Sequence, residues 1–88
     1  MEKKQFKITA RTGIHDRPAT LLVQTATKYD SKIALIDRDR SVDLKSIMGV
    51  MSLGVGQGEM ITITTSGKDE KAALQNITVL MRKEGLSK

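Results

Sequence analysis

The chain has one histidine, and an acid, a base and a proline follow it: Gly13-Ile14-His15-Asp16-Arg17-Pro18-Ala19-Thr20. A lone imidazole in a chain without cysteine builds neither a two-histidine nor a thiolate metal centre, so no metal is expected. It can act as a nucleophile, because an imidazole of ordinary pKa, about 6.5, is largely neutral near pH 7. The octapeptide reads as a loop turning into a helix, since proline is tolerated in a first turn where its missing N–H has no partner to lose. Backbone N–H groups at a helix start point outward and favour anions. With Arg17 two residues on, His15 is arranged to carry or contact a phosphoryl group, and the backbone at Asp16 and Arg17 is placed to meet its oxygens.

A second group lies in Lys45-Ser46-Ile47-Met48-Gly49-Val50-Met51-Ser52-Leu53. Ser46 suits the cap of a short helix, its hydroxyl accepting an N–H two or three residues on. It also suits regulatory phosphorylation, which would place about −1.5 to −2 charges in the field of the helix start. Five apolar residues cannot all face a core from one two-turn helix. Val50 and Leu53 are expected inward. Ile47, Met48 and Met51 are either apolar residues leaking onto the surface or, the reading favoured, a docking patch, for which methionine is apt because its unbranched chain repacks easily.

These groups need a scaffold. Lys4–Arg11 alternates, with Phe6, Ile8 and Ala10 on one side, and reads as a half-buried strand. Asp16–Lys28 reads as a helix whose core stripe is Ala19, Leu22, Val23 and Ala26. Stepping about 100° per residue puts Arg17, Thr20, Leu21 and Gln24 in one arc opposite that stripe. Leu21 is either a stray exposed leucine, which is common, or part of a docking surface with Thr20 and Gln24. Lys32–Ile36 and Arg40–Leu44 read as strands, although Asp37-Arg38-Asp39 lacks the glycine of a tight hairpin. Gly54, Gly56 and Gly58 mark a flexible loop; they follow a helix and lack dinucleotide-binding spacing. Met60–Thr65 is a strand with Ile61 and Ile63 inward. Lys68–Lys83 is a helix with a stripe of Ala73, Ile77, Leu80 and Met81, stopped by Gly85. The order βαββαβα implies an α+β fold, one antiparallel sheet covered on one face by helices.

Eighty-eight residues make one domain, 1–88, with room for one core and no deep catalytic cleft. Such a chain is expected to bind, carry or regulate. No apolar run approaches the roughly 20 residues that span a bilayer, and the charged N-terminus does not read as a signal peptide, so a cytoplasmic protein without membrane insertion is expected. The net charge of +5 invites a nucleic-acid reading. Two aromatics, Phe6 and Tyr29, are too few for a stacking platform, and the charges alternate in sign.

At the two motifs quoted above, and over essentially the whole chain, the sequence resembles the HPr family, the histidine-containing phosphocarriers of the bacterial sugar phosphotransferase system. The second motif is similar to the form found in low-GC Gram-positive bacteria. The resemblance implies an open-faced β-sandwich, with four antiparallel strands under three helices. It implies that His15 accepts a phosphoryl group on Nδ1 from enzyme I, charged by phosphoenolpyruvate, and passes it to enzyme IIA domains of sugar permeases. Arg17 would contact that group. Ser46 would be the substrate of a regulatory HPr kinase/phosphorylase, and the phosphoserine form a co-repressor with the catabolite control protein. No cofactor is implied, and the protein would be a substrate of phosphotransferases rather than an enzyme.

One residue departs from the family pattern, which usually has alanine at Asp16. Two unit charges about 6 Å apart repel by roughly 1–3 kcal/mol at effective dielectrics of 80 to 20, so Asp16 is expected to disfavour phosphorylated His15. Two rival readings stand beside the phosphocarrier: a regulatory paralogue acting mainly through phospho-Ser46, and a small basic nucleic-acid-binding domain.

Overall fold

The computed structural model describes residues 1–87. Seven elements follow one another: β1 (Glu2–Lys7), α1 (Asp16–Ala26), β2 (Lys32–Asp37), β3 (Arg40–Asp43), α2 (Ile47–Leu53), β4 (Met60–Ser66) and α3 (Glu70–Lys83). The strands form one antiparallel sheet in the order β1-β4-β2-β3, so β4, late in sequence, is central. The expected open-faced sandwich of four strands and three helices is the fold observed.

Alternation decides which face is covered. Phe6 lies opposite Ile61, and Leu35 opposite Ile63, and all four are buried. Ala19, Leu22 and Ala26 of α1 and Ala73, Ile77 and Met81 of α3 close over them, each fully buried. Val23 and Leu80, at the borders of their stripes, are half-buried and pack on the core.

Several boundaries differ from the sequence reading. The β1 ladder stops at Lys7, opposite Met60, rather than at Arg11. Ile8 continues inward, but its backbone bonds the loop before β4: its N–H donates to Glu59 at 2.9 Å and its carbonyl accepts from Gly58 at 2.7 Å. The chain then turns, with the Gly13 N–H on the Ala10 carbonyl at 3.0 Å. Helix α1 ends at Ala26 rather than Lys28, because Lys28 and Tyr29 bond three residues back in a tightened turn. Helix α3 begins at Glu70 rather than Lys68: Asp69 is its N-cap, with a non-helical backbone and its carbonyl on the Ala73 N–H, and its carboxylate accepts from the Asp30 and Ser31 N–H groups and from the Ser31 hydroxyl. The β2–β3 hairpin is tight despite lacking glycine; Arg38 takes a φ of 59°.

Gly85 ends α3 with a φ of 69°, its N–H on Arg82 and the Leu86 N–H on Met81, the paired bonds of a Schellman stop.

Candidate functional site

His15 is the N-cap of α1, in extended conformation, with its carbonyl accepting from Ala19 at 2.8 Å. Its imidazole does not cap the helix. Among the described residues, the N–H groups of Asp16 and Arg17 have no acceptor, and Pro18 has no N–H to satisfy. The imidazole of His15 and the guanidinium of Arg17 are exposed and likewise unpartnered among the described residues. The helix start therefore presents two free N–H donors, a cation and a free imidazole, which together suit a phosphoryl group.

Asp16 also faces solvent, with no ion pair to Arg17 among the described residues. Its carbonyl accepts the Thr20 hydroxyl at 2.9 Å, so that hydroxyl turns back onto α1. Gln24 is exposed. Leu21, expected to aim at water, is instead half-buried without packing on the core. The arc is not open on every side because α2 lies against α1.

The loop before His15 is braced from behind. The Ile14 N–H donates to the Val55 carbonyl at 3.1 Å, and Gly13 presses against the same peptide: a Cβ there would sit 2.1 Å from the Val55 oxygen. Gly13 also has a φ of 68°, a conformation that side chains rarely adopt. Residues 54–59, expected to be flexible, are tied down instead by bonds to Ile8, Ile14 and, through the Gln57 side chain, Thr9. Sequence reasoning missed this wall of the site. The signal was the pairing of Gly13 beside the histidine with a second glycine cluster, which marks close approach of two backbones as well as it marks freedom.

Helix α2 leads into that wall. Ser46 is its N-cap, the hydroxyl accepting from the Gly49 N–H at 3.1 Å, as its position suggests. Lys45 anchors the approach, donating from Nζ to the Tyr29 carbonyl at 2.7 Å. Val50 is buried and Leu53 half-buried against the core. Ile47, Met48 and Met51 remain 40%, 80% and 38% exposed, so half of the six exposed large hydrophobics among the described residues lie on this short helix. Ser46 and the His15 loop meet opposite ends of α2, separated by about 10 Å of helix axis. The exposed apolar residues lie between them.

The described residues contain no cluster of three acidic or histidine side chains able to hold a metal ion. None of their helices is long and apolar enough to cross a membrane.

A family model described as "PTS HPr component phosphorylation site" matches residues 2–83. Three solved structures illustrate the similarity. The histidine-containing phosphocarrier protein of Mycoplasma is 37% identical, with a TM-score of 0.97 and 99% of each chain covered. An HPr of Thermoanaerobacter tengcongensis is 39% identical, with a TM-score of 0.91, over 100% of this chain and 99% of that one. The catabolite-repression protein Crh of Bacillus subtilis, as a swapped dimer, is 36% identical, with a TM-score of 0.74, over 99% of this chain and 100% of that one.

Proposed function

The chain belongs to the HPr family of phosphotransferase-system phosphocarriers, and from that premise we propose that His15 accepts a phosphoryl group from enzyme I and donates it to enzyme IIA domains of sugar permeases. The observation that carries this reading is an unpartnered imidazole at the start of an 11-residue helix whose first N–H groups are free. The neutral Nδ1 lone pair forms the N–P bond as the donor's bond to phosphorus breaks, while Nε2 keeps its proton. The N–H groups of Asp16 and Arg17, with the Arg17 guanidinium, offset the charge on the phosphoryl oxygens. The onward step reverses these roles, which an exposed site allows and a closed cleft would hinder.

Thr20, Leu21, Gln24, Ile47, Met48 and Met51 form the docking surface for these partners. A small apolar patch beside cationic groups gives fast, weak association, as a carrier needs. Ser46 is the regulatory site, modified by an HPr kinase/phosphorylase and read by the catabolite control protein. A phosphate there would stand beside Ile47 and Met48 and add charge to the rim of the patch. Partners of this kind place the protein in the cytoplasm.

Incubation with enzyme I and phosphoenolpyruvate is expected to load an acid-labile phosphoryl group that His15→Ala loses; an unchanged load in that variant refutes the assignment. Asp16 tunes the loaded state. Asp16→Ala is expected to shift the phosphoryl-transfer equilibrium toward phosphorylated protein by about tenfold, the equivalent of 1.4 kcal/mol. An equilibrium constant equal to that of the parent would remove Asp16 from the mechanism.

A further inference from the structure

The peptide unit that holds the His15 loop is held in turn by a carboxylate. Val55 supplies its carbonyl, which accepts the Ile14 N–H at 3.1 Å, and Gly56 supplies its N–H. That N–H donates to Oε2 of Glu59. The two groups lie at opposite ends of one rigid plane. Whatever fixes the Gly56 N–H therefore fixes the direction of the Val55 carbonyl, and with it the residue immediately before His15. Gly13 lies close beside that plane: a Cβ there would meet both the Val55 oxygen and the Gly56 Cα.

Glu59 is itself well held. Its backbone N–H donates to the Gly56 carbonyl at 3.3 Å, so the Gly56–Glu59 turn is closed by main chain and side chain together. Arg38, at the hairpin tip, reaches Glu59 Oε1 at 3.4 Å. The neighbouring Asp37 is buried and takes up the proton more readily than an ordinary aspartate, first through burial and then through Glu59. Glu59 is the member kept ionised, chiefly by the Gly56 N–H. The bonds therefore run in series, carboxylate to Gly56 N–H, then Val55 carbonyl to Ile14 N–H, and each polarises the next.

We propose that Glu59 is a positioning residue for the phosphoryl site: by orienting the Val55–Gly56 peptide it sets the backbone at Ile14 and hence the N-cap conformation of His15. This rests on the reading of His15 as the phosphoryl acceptor. Glu59 does not touch the phosphoryl group and belongs to no docking patch.

The chain supplies its own control. Gly67-Lys68-Asp69-Glu70 is closed in the same way, with the Glu70 N–H on the Gly67 carbonyl at 3.2 Å and Glu70 Oε1 accepting the Gly67 N–H at 3.1 Å. That turn lies at the other end of β4 and braces nothing near His15.

The test measures enzyme I-dependent phosphorylation by phosphoenolpyruvate as a function of carrier concentration, in the parent, Glu59→Ala, Glu59→Gln and Glu70→Ala. Glu59→Ala is expected to lower kcat about tenfold with KM within about twofold, because misplacing a reacting group slows the step while the docking residues are untouched. Glu59→Gln, which keeps an acceptor for the Gly56 N–H, is expected to restore most of the rate. In the unphosphorylated proteins, the Ile14 and His15 amide resonances should move in Glu59→Ala and stay in Glu70→Ala. If Glu59→Ala does not fold, Glu59→Asp, one methylene too short for the bond, is expected to show the same split. A parental kcat in folded Glu59→Ala or Glu59→Asp, or an equal loss in Glu70→Ala, overturns the proposal. A parent protein that accepts no phosphoryl group at all overturns the reading of His15 instead.

Discussion

Two glycine-to-glutamate turns flank β4, one before Met60 and one after Ser66. Their bonds are alike; their surroundings are not. Around the Gly67 turn the polar groups find partners within the fold. Asp69 takes three donors from the α1–β2 connection, Glu70 binds the N-terminal ammonium at 3.1 Å, and Thr65 donates to the Glu70 carbonyl at 2.8 Å. Around the Gly56 turn the backbone is equally well tied, but what it supports is left open: the first N–H groups of α1, His15, Arg17 and the exposed side chains of α2. One end satisfies itself and serves stability. The other is rigid beneath and unsatisfied above, as a site must be that is to bind an anion and a succession of partners.

The contrast breaks most completely at Gly13. Gly13→Ala forces a side chain into positive φ and against the Val55 oxygen, and is expected to cost about 3 kcal/mol, read from the denaturant midpoint. It should also abolish phosphoryl acceptance. A variant of parental stability would show that the two loops do not abut.

Met48→Asp probes the open surface alone. With Met48 80% exposed, stability should be unchanged, while KM for enzyme I should rise about tenfold, or about 1.4 kcal/mol. An unaltered KM removes Met48 from the interface.

At the closed end, Ser31→Ala deletes a buried hydroxyl bonded to Asp69 and should cost about 1 kcal/mol, with phosphoryl acceptance untouched. A smaller effect belongs to pH. The Ser31 hydroxyl and then the Asp30 N–H hold the Asp69 carboxyl below its ordinary value. The stability it supplies is therefore complete above the ordinary carboxylate range and is lost as pH falls through about 4 toward the lowered folded value. Asp69→Asn should flatten that part of the acid-unfolding profile; an identical acid limb would deny the clamp its charge dependence.

The same division separates what was legible in the sequence from what was not. Phe6, Ile61 and Ile63, and the stripes of α1 and α3, are periodic signals, and burial follows period wherever one face is covered. His15, Arg17 and Ser46 were visible as types at particular distances from helix starts. The wall behind His15 was not, because no local rule connects Ile14 to Val55, some forty residues away in sequence. The Asp69 clamp was hidden for a similar reason: Asp69 stands at a helix start, yet its carboxylate is claimed by Asp30 and Ser31. Leu21 was assigned to solvent by a helical wheel that carries no information about α2 alongside it.

The central claim is that the open end carries phosphate on His15, and nitrogen–phosphorus NMR of the protein loaded by enzyme I and phosphoenolpyruvate tests it most directly. The account predicts one phosphorus bonded to Nδ1 of His15, with the Asp16 and Arg17 amides shifted and Ser46 unmodified. A phosphorus found on any other residue, or none at all in protein shown to be folded, would contradict it.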